Sequence, residues 1–211
     1  MTRDQFIAEL LRVEHGLRRL GADVISCDVG ALATPGDLSE IERAVGKKMP
    51  AEIRHFALNV AAKVSFHWSL DDEHSDLDPS LVPWGEFSFD LSEIPELEKG
   101  RRSWVDTVFP DSNSPSDAVW HNKTAFQAVG NGDLLALDHD ERVVYLSHED
   151  GLGHGVIFAP SFMSYVAAGL ELAFPGPEDD FLLMFYSKAK SCIDPDGVPG
   201  LAWRTLLTRE A

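Results

Sequence analysis

Apolar residues in the first twenty positions fall at Phe6, Leu10, Val13, Leu17 and Leu20. These spacings of four and three put them on one face of a helix. Thr2 and Gln5 fit a capping box at its start and Gly21 fits its stop, so an amphipathic helix is predicted over residues 2–20. Its apolar stripe suits packing on the domain or on a second copy. The run Ala22 to Val29 fits either a short strand or an extended linker. Thr34 then caps another helix, with Pro35 at the first position and Asp37 completing the box. Leu38, Ile41 and Val45 line its inner face up to Gly46. A tight turn leads to Pro50, read as the first residue of a third helix with Ile53, Phe56, Ala57 and Val60 inward.

The period then changes from about 3.6 to two. Val64, Phe66, Trp68 and Leu70 alternate with Lys63, Ser65, His67 and Ser69, and Phe87, Phe89 and Leu91 alternate with Glu86, Ser88 and Asp90. Each run reads as a strand with one wet face. A helix is predicted over 92–107, containing Trp104, and a loop over 110–117. Strands follow at 124–129, 133–138 and 142–147, joined by Asn131-Gly132 and by His139-Asp140-Glu141, which favours antiparallel pairing. A short strand at Val156 to Phe158, helices over 160–174 and 178–190, a turn at Asp194 to Gly197 and a helix around 201–207 complete the chain. Helices lead, strands fill the middle and helices finish. The expected fold is α+β, with a central antiparallel twisted sheet of about five to six strands flanked by helices.

At 211 residues, the chain suits one large domain or a domain with an added terminal piece. Acidic residues number 35 against 18 basic, a net charge of −17. That sign repels phosphate backbones, which argues against nucleic acid as a direct partner, and it steers a basic protein partner. Arg3, Asp4, Glu9, Arg12 and Glu14 interrupt the N-terminal segment, so no signal-peptide core forms there, and no apolar run approaches a bilayer span. The expected location is the cytoplasm, with no membrane association. Cys27 and Cys192 are far apart and neither sits in a Cys-x-x-Cys pair, so both are read as reduced thiols.

Candidate chemistry is sparse. His148, Glu149, Asp150 and His154 lie close together among Gly151, Gly153 and Gly155. Two imidazoles and a carboxylate suit a metal, but the spacing fits no metal motif, and the stretch reads as a glycine-rich loop held by a hydrogen-bonded His148. Asp133 reads as a turn aspartate binding amides after Gly132. Ser161 lacks the Gly-x-Ser-x-Gly elbow of a hydrolase, and no phosphate loop or dinucleotide fingerprint occurs. No catalytic, cofactor-binding or metal-binding residue is assigned. The acidic run Asp71, Asp72, Glu73, Asp76 and Asp78 precedes Trp84. There, carboxylates would steer a basic partner and the indole would anchor it; the alternative is a solvated loop with Trp84 tucked into the core.

Three ordered stretches add to this reading. They are Thr34 to Pro50 with Ile53 and Phe56, then Asn131 to Asp138, then Val143 to Gly151 followed by Ala159-Pro160-Ser161-Phe162. Together they resemble the SMI1/KNR4 family, the SUKH superfamily, over roughly residues 34–170. Met49 stands where leucine is usual, Glu149 follows His148 where aspartate is common, and the asparagine-glycine after the second helix is missing. The resemblance implies an SMI1/KNR4-like domain over 34–175, with a helical extension at 1–33 and another at 176–211 packed on the same domain. It makes Pro50, Asp133, His148, Gly151, Ser161 and Phe162 structural motif positions. It also implies a binding protein and not an enzyme: an immunity protein that occludes a cognate bacterial toxin such as a nuclease, without a cofactor. The alternative within the family is a regulatory scaffold that self-associates, as a homodimer through the 2–20 helix.

Overall fold

Thr2 accepts the Gln5 amide while the Gln5 side chain accepts the Thr2 amide, and this reciprocal cap opens α1 (Arg3–Arg19). Phe6, Leu10, Val13 and Leu17 are all buried within the chain's own core. The described residues of this computed structural model are 1–70, 82–149 and 151–208. After a left-handed Gly21, the ambiguous run forms strand β1 (Asp23–Val29). Then come α2 (Pro35–Val45), capped by Thr34 and Asp37 and closed by a left-handed Gly46, and α3 (Ala51–Asn59). Pro50 is the N-cap of α3 and not its first helical residue; its carbonyl accepts the Arg54 amide at 3.0 Å.

Strands β2 (Lys63–Ser69) and β3 (Trp84–Asp90) pair antiparallel, with β1 on the far side of β2. Val64, Phe66, Trp68, Phe87 and Phe89 face the core. Ser65, His67, Glu86 and Ser88 lie half-buried on the other face. A 3₁₀ turn leads into α4 (Ile94–Thr107), and a second 3₁₀ turn (Asp117–Trp120) precedes β4 (Thr124–Ala128), β5 (Leu134–Leu137), β6 (Val143–Leu146) and β7 (Ile157–Ala159), paired in that order. Helix α5 (Phe162–Leu172), helix α6 (Asp179–Met184), the hairpin β8 (Tyr186–Ser187) and β9 (Cys192–Ile193), and α7 (Val198–Thr208) follow.

The expected single sheet of five to six strands is therefore corrected. The described strands form sheets of three, four and two strands. The reason lies at the open side of β3. Gly85 bridges Pro175, and the Gly176 amide donates to the Trp84 carbonyl at 3.1 Å. The segment after α5 thus occupies the edge that β4 would need. The helix expected over 178–190 is also corrected. It stops at Met184, and the chain then turns back through a left-handed Ser191, whose amide reaches the Ser187 carbonyl at 2.8 Å.

One buried cluster runs from Phe6 through Phe56 to Trp203 and Leu207. Phe56 is its hub, edge-on to Phe6, Phe89 and Phe162 at 5.2–5.5 Å between ring centres. The four-stranded sheet also covers a second, smaller cluster built on Phe109, Trp120, Ala125, Leu134, Ala136, Val144 and Leu146 and roofed by Leu97, Trp104 and Val105 of α4. Both cysteines are free. Burial, reinforced by Glu14, pushes the Cys27 thiol up to about 12, which leaves it unreactive at neutral pH.

Candidate interaction surface

The turn after β4 delivers Asp133 to the end of the sheet. Its Oδ1 accepts the His148 amide at 2.8 Å and the His148 Nδ1–H at 2.6 Å; its Oδ2 accepts the Tyr145 hydroxyl and the Asn131 side-chain amide, each at 2.8 Å. Burial opposes its ionisation, but the His148, Tyr145 and Asn131 donors outweigh that and hold the carboxyl below its usual range. Asp133 does not bind the turn amides expected of it. It ties the start of β5 to the end of β6. Gly132 has φ +99°, and a side chain there would meet the His148 ring.

The glycine-rich loop is held in the same manner. Ser147 Oγ accepts the Gly151 amide at 3.0 Å, and Asp179 Oδ2 accepts the Gly153 amide at 2.7 Å. A Cβ on Gly153 would lie 2.4 Å from Asp179, so only glycine lets α6 approach. His154 accepts the Ser147 amide through Nδ1 and donates from Nε2 to the Ser116 carbonyl at 3.0 Å. His148 and His154 are thus turned toward separate partners; Asp150 lies outside the described residues. Asp138, His139 and Asp140 have metal-compatible spacing, but Arg142 sits on both carboxylates at 2.7 and 3.3 Å. Ser161 caps α5 by accepting the Ser164 amide at 3.2 Å, and Phe162 is wholly buried.

The acidic run Asp71, Asp72, Glu73, Asp76 and Asp78 lies outside the described residues. Trp84 is half-buried, edge-on to His67 and Phe181 at 6.0 Å each. Burial raises the nearby Glu86 carboxyl, which pairs across the strands with His67. Elsewhere most of the cations are spent within the chain; Arg43 and Lys188 are exposed and make no ion pair among the described residues. Arg3, Arg19, Arg102 and Lys123 donate to backbone carbonyls. Lys47 and Arg101 close on the buried Glu98, and Lys48 and Arg54 on the buried Glu42. Asp4, Asp23, Asp28, Glu40, Asp106 and Asp180 are exposed and make no ion pair among the described residues.

Two features escaped the sequence reading. Gln127 is 1 % exposed, and neither polar atom of its side chain meets a hydrogen-bonding group among the described residues. A glutamine inside an apolar strand run was its signal. The second is a groove of about 500 Å³ along α4, lined by Glu93, Glu96, Leu97, Gly100, Trp104 and Leu134. Its signal was Leu97, Gly100 and Trp104 at helical spacing on one face, with a glycine in the middle.

No family model matches the chain, and no curated protein matches it.

Proposed function

We propose that this chain is a non-catalytic binding protein of the SMI1/KNR4 kind, an immunity protein that occludes a basic bacterial toxin of the nuclease class in the cytoplasm. In this reading, residues 34–175 form the family unit, extended by 1–33 and 176–211. The observation that carries the reading is the surface charge. A net charge of −17 stands beside cations most of which are already committed to the chain's own carboxylates and carbonyls, which leaves exposed carboxylates uncompensated. Such a surface accelerates encounter with a basic protein and repels nucleic acid. The motif positions have structural roles. Asp133, His148, Gly151 and Ser161 hold strand ends, a loop and a helix start, and Phe162 fills the core. No helix among the described residues is long and apolar enough to cross a membrane.

The test is co-expression with the product of the adjacent gene. That product alone is expected to stop growth, and this chain to restore it. A toxic neighbour that this chain fails to restrain overturns the proposal.

A further inference from the structure

The groove on α4 has the chemistry of an arginine site. Its floor is Trp104, whose ring lies 5.3 Å from the His148 ring and 6.0 Å from the Trp120 ring. His148 is itself fixed by Asp133, so the indole is held before any partner arrives. Leu97 and Leu134 extend the apolar floor. Two carboxylates stand on the rim. Glu93 makes no ion pair among the described residues, and Glu96 has only the exposed Lys99 at 2.9 Å, a contact that an incoming cation readily displaces.

Gly100 opens the space between them. A glycine inside a helix costs about 1 kcal/mol relative to alanine. Packing does not require it here, because a Cβ at Gly100 would meet nothing within 4 Å. It has helical dihedrals, not the positive φ that calls for glycine. The helix therefore carries a local weakness that packing does not explain, at a position that lines the groove with Trp104.

We propose that this groove takes an arginine side chain of a basic protein partner. The guanidinium would lie on the Trp104 ring while Glu93 and Glu96 receive its N–H donors. Planarity and weak hydration suit guanidinium to that position better than ammonium. The site rests on the binding reading above and assigns it an anchor outside the acidic run before Trp84.

Calorimetric titration of the full chain with hexa-arginine and hexa-lysine at low salt tests it. Arginine is expected to bind roughly tenfold more tightly than lysine. Gly100→Gln, which fills the groove and favours the helix, is expected to remove that preference while leaving thermal stability equal or higher. Gly100→Arg, which supplies its own guanidinium four residues from both Glu96 and Trp104, is expected to do the same. Equal binding of the two peptides overturns the proposal, as does a preference that survives both variants. Co-expression separates it from the wider reading. Protection by the native chain that is lost in Gly100→Gln supports both. Protection by both chains overturns the groove and leaves the toxin reading in place. An arginine preference in a chain that gives no protection supports the groove and defeats the toxin reading.

Discussion

The three-stranded and four-stranded sheets solve burial differently. In β2 and β3, apolar side chains face the core and Ser65, His67, Glu86 and Ser88 face partly outward, so the sequence alternates. In β5 and β6 every residue is buried, because a second cluster under α4 covers the face turned away from the main core. Their sequences, Leu-Leu-Ala-Leu and Val-Val-Tyr-Leu, are correspondingly continuous. A sheet covered on both sides must satisfy polar groups internally, and that is where the buried Glu98 and Asp133 networks and the unmet Gln127 amide are found. It also depends on a roof, and the roof formed by α4 leaves the groove over Trp104.

Substitutions can sharpen this contrast. Trp120→Ala removes a wholly buried ring stacked on Phe109 at 5.0 Å and is expected to cost about 4 kcal/mol in chemical denaturation. Ser88→Val, on the half-wet face of β3, is expected to leave the midpoint nearly unchanged. A comparable loss at both positions would erase the distinction between the sheets. Glu98→Gln follows in size. Glu98 binds Lys47, Arg101 and the Ala125 amide, and its loss strands a buried guanidinium, for about 3 kcal/mol.

Asp133→Asn is expected to cost about 2 kcal/mol, since four donors lose a charged acceptor. Its carboxyl is held below the ordinary value. The native contribution is therefore complete above the unfolded value near 3.9 and is lost as pH falls toward the folded one. The variant's stability should fall less steeply in that acid range; an unchanged acid limb would mean the His148 contact is not electrostatic. The smallest effect is a gain. Gln127→Met replaces an unmet amide with a similar apolar volume and should stabilise by about 1 kcal/mol. A loss there would reveal a partner for the amide.

The alternation at 63–70 and 86–91 was legible because one face is wet. The capping boxes at Thr2 and Thr34 were legible because they are local. The split between sheets was not, because it depends on how the chain leaves α5. Ala173 and Phe174 take left-handed dihedrals, φ +60° and +48°, with no glycine to announce them. Gly169 makes room for the Phe174 ring, since a Cβ there would lie 2.2 Å from it. That match is one of shape, between a helix glycine and a ring just past the helix end, and leaves no periodic trace. The motif aspartate and histidine were legible as strand-end residues, but their mutual bond spans fifteen positions. The groove was hidden because Leu97 and Trp104 read as ordinary inward helix positions, and only Gly100 was out of place.

The two terminal helices share one seam. The Gly16 backbone comes so near Leu207 that an alanine methyl would lie 2.8 Å from its carbonyl oxygen; Arg19 donates to that same carbonyl, and the Trp203 indole donates to Leu172 at 2.7 Å. A nascent chain therefore cannot seal its interior while α7 is still inside the ribosome. Val13 and Gly16 must wait for a cover nearly two hundred positions away, and this makes the period between synthesis and closure the time when chaperones matter most to this protein.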